Sequence, residues 1–253
     1  MIKYSFAAIS LVAALISGTA TASIVLVDRG LPTANLNNAA GSNRSNVAWT
    51  EGTDPSQPDV SWVDGDTFKN NSNLDWSIDT IRMWTVEPSM TSATLWGGVD
   101  GSDMAIVSGA GSISPVKYST GAEYQGGSGT FYAMQQVDFA VNIILAAGQT
   151  YDFFLTGIGG TYPAPFAHAS NAALSGSPQD GADGSILWAK VDSSGLVVGG
   201  PWASNVNYGN GASWDKVSDL NVQVFGNVVP EPESLALFGL ALAGLAVSRR
   251  RKA

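Results

Sequence analysis

The chain contains no cysteine and a single histidine, His168. Without cysteine no disulfide can hold the fold, so a hydrophobic core has to stabilise it. One histidine and no cysteine leave no ligand set of the kind that zinc prefers. A catalytic triad would have to be built on His168, which lies in a proline-rich stretch, and there is no Gly-x-Ser-x-Gly turn to carry a nucleophile.

Glutamate and positive charge are also scarce. Between residues 23 and 228 the glutamates are Glu51, Glu87 and Glu123, and their spacing sets no facing pair for glycoside hydrolysis. We therefore predict that the protein is not an enzyme. Five of the 12 cations and two of the 21 acids lie outside residues 23–228, which leaves 7 cations against 19 acids and a net charge near −12. A surface this acidic does not attract nucleic acid.

The first 22 residues have the three parts of a secretory signal peptide. Lys3 gives a charged start, residues 6–16 are apolar, and Ala20, Thr21 and Ala22 provide small residues for cleavage. We predict cleavage before Ser23 and export through the inner membrane by the Sec machinery. A first transmembrane helix is the alternative, but the apolar run is too short for it.

The last 25 residues combine three different compositions in a fixed order. Pro230, Glu231 and Pro232 form a segment that cannot be regular helix, because each proline fixes φ and pushes its predecessor toward extended geometry. Residues 235–247 carry no charge and would form a hydrophobic helix roughly 20 Å long. Residues 249–252 are four consecutive cations, which should stay on the cytoplasmic side of a membrane.

This ending resembles the PEP-CTERM sorting signal of Gram-negative bacteria, which an exosortase recognises. The residues that match are the Pro-Glu-Pro motif and the arginines of the tail: Pro230, Glu231, Pro232, Arg249, Arg250 and Arg251. The resemblance implies a protein held transiently in the inner membrane and then released to the cell surface or extracellular matrix. It also implies an association with exopolysaccharide and biofilm. A simple tail anchor is the alternative explanation of the same residues.

Residues 23–228 have the composition of an all-β domain. Short apolar runs alternate with turns rich in glycine, asparagine and aspartate, and no long helical period occurs. We predict three units: a signal peptide at 1–22, an antiparallel β-sandwich of jelly-roll type at 23–228, and a sorting segment with one hydrophobic helix at 229–253.

Four local patterns predict individual strands. In residues 74–84 the apolar residues change phase, so a bulge at Asp79 or Thr80 is needed to keep them on one side. Residues 131–145 alternate over the longest run in the chain, with Gln136, Asp138 and Asn142 on the wet face. We expect residues 146–149 to join this strand to the next in a hairpin. Residues 186–198 predict a second hairpin, and residues 220–226 the closing strand.

Two kinds of residue predict ligands. Closely spaced aspartates at Asp64-x-Asp66, Asp100-x-x-Asp103 and Asp180-x-x-Asp183 are hard oxygen ligands of the type calcium accepts, and we choose Asp180 and Asp183 as the metal candidates. The alternative is that aspartate and glycine simply make turns, with no cofactor. Trp202 and Trp214, in a stretch predicted to be a loop, are the candidates for an exposed platform that binds carbohydrate.

Overall fold

The computed structural model describes eleven ranges of the chain, which contain eleven strands. The described residues are 22–30, 60–85, 92–100, 105–108, 116–125, 131–158, 180–181, 186–192, 197–204, 219–229 and 238–242. The strands are β1 (Ile24–Asp28), β2 (Val60–Lys69), β3 (Asp75–Thr85), β4 (Ser92–Val99), β5 (Ala105–Ser108), β6 (Val116–Gln125), β7 (Phe131–Leu145), β8 (Thr150–Ile158), β9 (Ile186–Asp192), β10 (Val197–Ser204) and β11 (Val222–Val229).

These strands form two antiparallel sheets that share one hydrophobic core. The five-stranded sheet has the order β1-β11-β3-β7-β6, and the six-stranded sheet has the order β10-β9-β2-β8-β4-β5. Buried residues of both sheets belong to one cluster, with Ile78 and Phe139 on one side and Phe68 and Phe153 on the other. Most successive strands lie in different sheets, as in a jelly roll. The predicted all-β sandwich is confirmed.

Strand β3 contains the predicted bulge. Phe225 of β11 pairs with Thr80 and the next residue, Gly226, pairs with Ile78, so Asp79 has no partner in β11. The extra residue restores the phase, and the apolar residues on both sides of it enter the same core: Trp76, Ile78, Ile81 and Met83.

Strand β7 has the predicted bounds, but its second face is not uniformly wet. Val137 and Phe139 are fully buried, as the alternation predicts. On the other face Asn142 is exposed, whereas Gln136 is buried and donates from Nε2 to the Asp138 carboxylate. Asp138 also accepts two hydrogen bonds from Arg82 of β3. A polar residue on the outer face can be covered by neighbouring strands, which alternation alone does not show.

The predicted hairpin of β7 and β8 is wrong. Residues 146–149 carry the chain from the five-stranded to the six-stranded sheet, so β7 pairs with β3 and β8 pairs with β2. The β2–β3 connection makes the same crossing beside it. Asn70, fully buried, joins the two crossings, since its Nδ2 donates to the carbonyls of Leu74 and Leu145. The Asn70 backbone also donates to Gln149 and accepts from Gly148.

The remaining predictions have mixed outcomes. Strands β9 and β10 form the predicted hairpin, with Val197 opposite Val191. Trp202 was predicted in a loop, but it lies in β10, because that strand continues to Ser204. Asp64 and Asp66 lie within strand β2 and not in a turn.

The closing strand β11 ends at Val229. It begins two residues later than predicted and runs further, so it reaches the sorting segment without a connecting loop. Leu220, Val222 and Val224 are fully buried in the core, as their shared face predicts. Strand β11 lies between β1 and β3, which gives it hydrogen-bonded neighbours on both sides.

Candidate functional site

The two ends of the sandwich domain leave the fold at the same edge. Strand β1 is antiparallel to β11, with Ile24 opposite Gly226, so the start of β1 lies beside the end of β11. Ser23, just before β1, donates from its hydroxyl to the carboxylate of Asp79, the bulge residue of β3. The predicted signal cleavage position and the start of the predicted sorting segment therefore lie at one end of the five-stranded sheet.

The chain beyond β11 is described only in part. Residues 238–242 are helical, and Phe238 and Leu240 are exposed. Within the described part of the chain, no helix combines the length and the apolar character that crossing a membrane requires. The predicted residues of the motif and tail lie outside the described residues: Pro230, Glu231, Pro232, Arg249, Arg250 and Arg251.

Comparison with protein families decides what this ending is. The family model of the PEP-CTERM protein-sorting motif matches residues 228–252. The chain carries a PEP-CTERM sorting motif. No curated protein and no solved structure matches the chain. This PEP-CTERM protein is therefore an exported protein directed to the cell surface, with an exosortase as the enzyme that sorts it.

The match begins inside the folded domain. Residue 228 belongs to β11, and Val228 and Val229 still pair with Trp76 and Asp75 of β3. Val228 also packs against the hydrophobic core. In this PEP-CTERM protein the sorting motif thus follows directly from a strand that is paired on both sides.

At the other predicted processing site, Ala22 and Ser23 are exposed and precede β1 directly, while Ala20 lies outside the described residues. Exposure is what a peptidase would need at this position. Cleavage before Ser23 stays a prediction.

A buried charged cluster, which we call the Arg29 cluster, joins four parts of the chain that are distant in sequence. It consists of Arg29, Asp66, Asp219 and the turn at Asp180 and Gly181. The Arg29 and Asp66 side chains are fully buried, with 2.9 Å between Arg29 Nη1 and Asp66 Oδ2, and Asp219 lies 3.7 Å from the same nitrogen. The guanidinium also donates to the carbonyls of Thr67, Asp180 and Gly181.

The carboxylate of Asp66 is held by donors from several strands. Besides Arg29, the backbone N–H groups of Thr67 and Leu220 donate to it. Burial raises the pKa of Asp66 to about 7, although the charge of Arg29 acts in the opposite direction. Asp66 is therefore occupied as a structural acceptor, and it is not a free ligand for calcium.

The predicted metal residue Asp180 has a structural role in this cluster. Its carboxylate accepts from the Asp28 N–H at 3.0 Å, and its carbonyl accepts from Arg29 Nε at 3.1 Å. The Arg29 guanidinium contacts the backbone carbonyls of the Asp180–Gly181 turn, and a calcium site at Asp180 and Asp183 stays a prediction. Asp183, the second predicted ligand, lies outside the described residues.

Two aspartates, Asp100 and Asp152, lie close together on the outer face of the six-stranded sheet. Asp152 of β8 is only 5% exposed and stands opposite Gly98 of β4. Burial, and then repulsion by Asp100, raises the pKa of Asp152 to about 6. Among the described residues no side chain or backbone group donates a hydrogen bond to the Asp152 carboxylate.

The tryptophans whose side chains are described are buried. Trp76 packs in the core, Trp84 is fully buried, and Trp96 donates from Nε1 to the Thr156 hydroxyl. Trp202 pairs with Trp188 across β9 and β10, and its side chain lies outside the described residues, as does all of Trp214. A carbohydrate platform at these two tryptophans stays a prediction.

Sequence reasoning missed the Arg29 cluster and the burial of Asp152. An arginine directly after a strand gives no sign of burial, since arginine is rarely fully buried without a partner. Its partner Asp66 lies 37 residues away. Asp152 follows Tyr151 in an apolar strand, where alternation places it on the outer face. The domain contains few cations, and this scarcity indicates that an individual cation such as Arg29 can have a specific role.

Proposed function

We propose that this protein is a non-enzymatic component of the cell surface or extracellular matrix, released there by an exosortase. The C-terminal hydrophobic segment holds it in the inner membrane until the enzyme cuts near residues 230–232. The observation that carries this proposal is the match of the sorting motif to residues 228–252, which begins in the last two residues of the last strand.

The fold is compatible with this path. Because Ser23 and Val229 lie at the same end of the five-stranded sheet, both processing positions can face the membrane from which the domain emerges. The acidic surface of residues 23–228 would be repelled by anionic lipid, which favours release once the anchor is removed.

A structural role in a polysaccharide matrix is the finer part of the proposal. It rests on the family resemblance of the sorting signal. The non-enzymatic role rests on the sequence, which has a single histidine, no Gly-x-Ser-x-Gly turn and few glutamates between residues 23 and 228.

Sorting is tested in a host that contains an exosortase. We expect Glu231→Gln, or deletion of residues 249–252, to leave uncut protein in the inner-membrane fraction, with Glu233→Gln as the matched control. Normal release of both altered proteins would contradict exosortase processing at this motif. Binding of the released protein to the host's exopolysaccharide, measured by co-sedimentation, tests the finer part separately.

Carbohydrate binding is the second candidate function. The observation that favours it is the pairing of Trp202 with Trp188 on the edge hairpin of β9 and β10, which places two aromatic residues side by side in the ladder. Trp202→Ala and Trp214→Ala should then abolish co-sedimentation without lowering the melting temperature. Val198→Ala, an exposed residue of the same strand, is the control. Unchanged binding in both tryptophan variants would reject this function.

A further inference from the structure

The outer face of the six-stranded sheet brings two carboxylates together at one end. Asp152 is opposite Gly98 in the β4–β8 ladder, which ends at the pair of Val99 and Tyr151. One residue beyond it, the N–H of Asp100 donates to the Thr150 carbonyl, so the antiparallel hydrogen bonding reaches Asp100. Residues two apart on a strand share a face, so Asp100 and Asp152 point to the same side as diagonal neighbours. Diagonal neighbours lie about 7–8 Å apart, within reach of a common ligand.

The space between the two carboxylates is not filled by protein side chains of this ladder. Gly98, directly opposite Asp152, carries no side chain. On the other side Thr67 of β2 is the cross-strand neighbour of Asp152, and it brings a hydroxyl to the same face. The face therefore presents two carboxylates and one hydroxyl around a glycine.

Asp152 is the informative member of this group. It is nine-tenths buried, yet no donor among the described residues reaches its carboxylate. A buried carboxylate without a partner is costly, and folded proteins pair such a group with a cation or keep it protonated. Asp100 cannot relieve the cost, because its own negative charge repels Asp152.

Among the described residues, Lys69 is the cation that lies on this face beside the pair. It follows Thr67 on the same face of β2 and stands opposite Thr150, but its side chain is exposed. In the described part of the chain it forms no ion pair with Asp100 or Asp152. Among the described residues, no cation therefore neutralises the negative charge of the two aspartates.

We propose that Asp100 and Asp152 form a calcium site on the outer face of the six-stranded sheet, with the Thr67 hydroxyl as a third protein oxygen. Calcium accepts six to eight oxygen ligands in flexible geometry at about 2.3–2.6 Å, so water completes the shell. Zinc prefers nitrogen or sulfur ligands. Magnesium also takes carboxylate oxygens, but it demands a stricter octahedron and dehydrates reluctantly, so we expect it to bind less strongly here.

Two carboxylates make a weak site, suited to the millimolar calcium outside cells. Extracellular modules bind calcium with dissociation constants of about 10⁻⁴–10⁻³ M, and the same range is expected here. The site does not depend on exosortase processing, because all three protein ligands lie within the sandwich. It also differs from the turn at Asp180 and Gly181, whose carbonyls accept hydrogen bonds from Arg29.

The test is a titration of the full chain, purified in detergent, with calcium chloride against magnesium chloride and a chelator. We expect millimolar calcium to raise the melting temperature and magnesium to have a much smaller effect. Asp152→Asn should lower the calcium affinity at least about tenfold, since even outer-shell partners of a metal change its affinity by 10–100-fold. Lys69→Gln is the matched control, and its calcium response should be retained.

The variants also separate loss of the site from loss of the fold. In the presence of the chelator, the melting temperature of Asp152→Asn should be at least that of the unaltered protein, because the substitution removes an unpaired buried charge. If that variant does not fold, Asp100→Asn changes an exposed residue and provides the same readout. A calcium response that persists in Asp100→Asn, or is absent from the unaltered protein, would overturn the proposal.

Discussion

Arg29 and Asp66 form an ion pair in which both side chains are completely buried, with 2.9 Å between Nη1 and Oδ2. The pair joins the end of β1 to the middle of β2, and Asp66 also accepts from the Leu220 N–H just before β11. Three carbonyl oxygens complete the surroundings of the guanidinium. In a domain without disulfides, this cluster connects strands of both sheets by polar contacts.

Arg29→Met should destabilise the domain by about 3–5 kcal/mol. The substitution leaves the Asp66 carboxylate buried without its cation, and breaking one partner of a buried pair has a cost of this size. The measurement is the free energy of unfolding in urea at pH 7. Arg82→Met is the control, since the Arg82–Asp138 pair is partly exposed and should contribute about 1 kcal/mol. Equal losses in the two variants would contradict the special role of burial at Arg29.

Asp152 should make the domain more stable at mildly acidic pH when calcium is absent. Its pKa is about 6 in the folded protein, against 3.8 as the ordinary value, so the folded state binds the proton more tightly than the unfolded state. Its contribution to stability is therefore greatest below about pH 4, is lost as pH rises to about 6, and stays absent above that. A pKa difference of about two units corresponds to about 3 kcal/mol of unfolding free energy.

The pH effect of Asp152 is isolated by comparison with Asp152→Asn. Asp66, whose pKa is also raised, titrates in both proteins and cancels in the difference. We expect Asp152→Asn to be the more stable protein at pH 7 in chelator, and the advantage to shrink toward pH 4. If the difference in unfolding free energy between the two proteins does not change between pH 4 and pH 7, the fold does not raise the pKa of Asp152.

Asn70→Ala should destabilise the domain by about 2–4 kcal/mol. The side chain is fully buried, and its amide satisfies two carbonyls, one in each of the two neighbouring sheet crossings. Its loss leaves buried acceptors unsatisfied, which costs about 1–3 kcal/mol for each group. Asn73→Ala, an exposed residue of the same connection, is the control and should change the unfolding free energy by less than about 0.5 kcal/mol. A similar small effect at Asn70 would mean that water replaces its hydrogen bonds.

Alternation in the sequence predicts which residues are buried better than it predicts which strands are neighbours. Strand β7 and the bulge at Asp79 follow from the spacing of apolar residues, because burial of one face is a local requirement. The hairpin of β7 and β8 does not form, since four residues can either turn within a sheet or cross to the other one. Here the chain crosses, and the crossing includes a contact between Asn70 and Leu145 that spans 75 residues, which local spacing does not reveal.

The polar sites also depend on which strands are neighbours, and the sequence does not predict that. The C-terminal sorting motif is contiguous, so its order of residues was sufficient to identify it. The Arg29 cluster and the pair of Asp100 and Asp152 are assembled from separate strands, and no spacing along the chain announces them. Of the aspartates predicted to lie in turns, Asp66 lies in a strand. The carboxylate of Asp180 accepts a hydrogen bond from a backbone N–H.

The released protein should keep Val229, so its C-terminal residue should be at position 229 or later. Strand β11 pairs with β1 and β3, and Val228 and Val229 still form part of the β3 ladder. A cut before Val228 would remove ladder partners of Trp76 and Asp75 and expose core surface around Trp76. Mass spectrometry of the released protein gives the position directly. A C-terminus within residues 222–227 would show that the exosortase acts on an opened strand, because a β-strand hydrogen-bonded on both sides is inaccessible to a membrane-embedded enzyme.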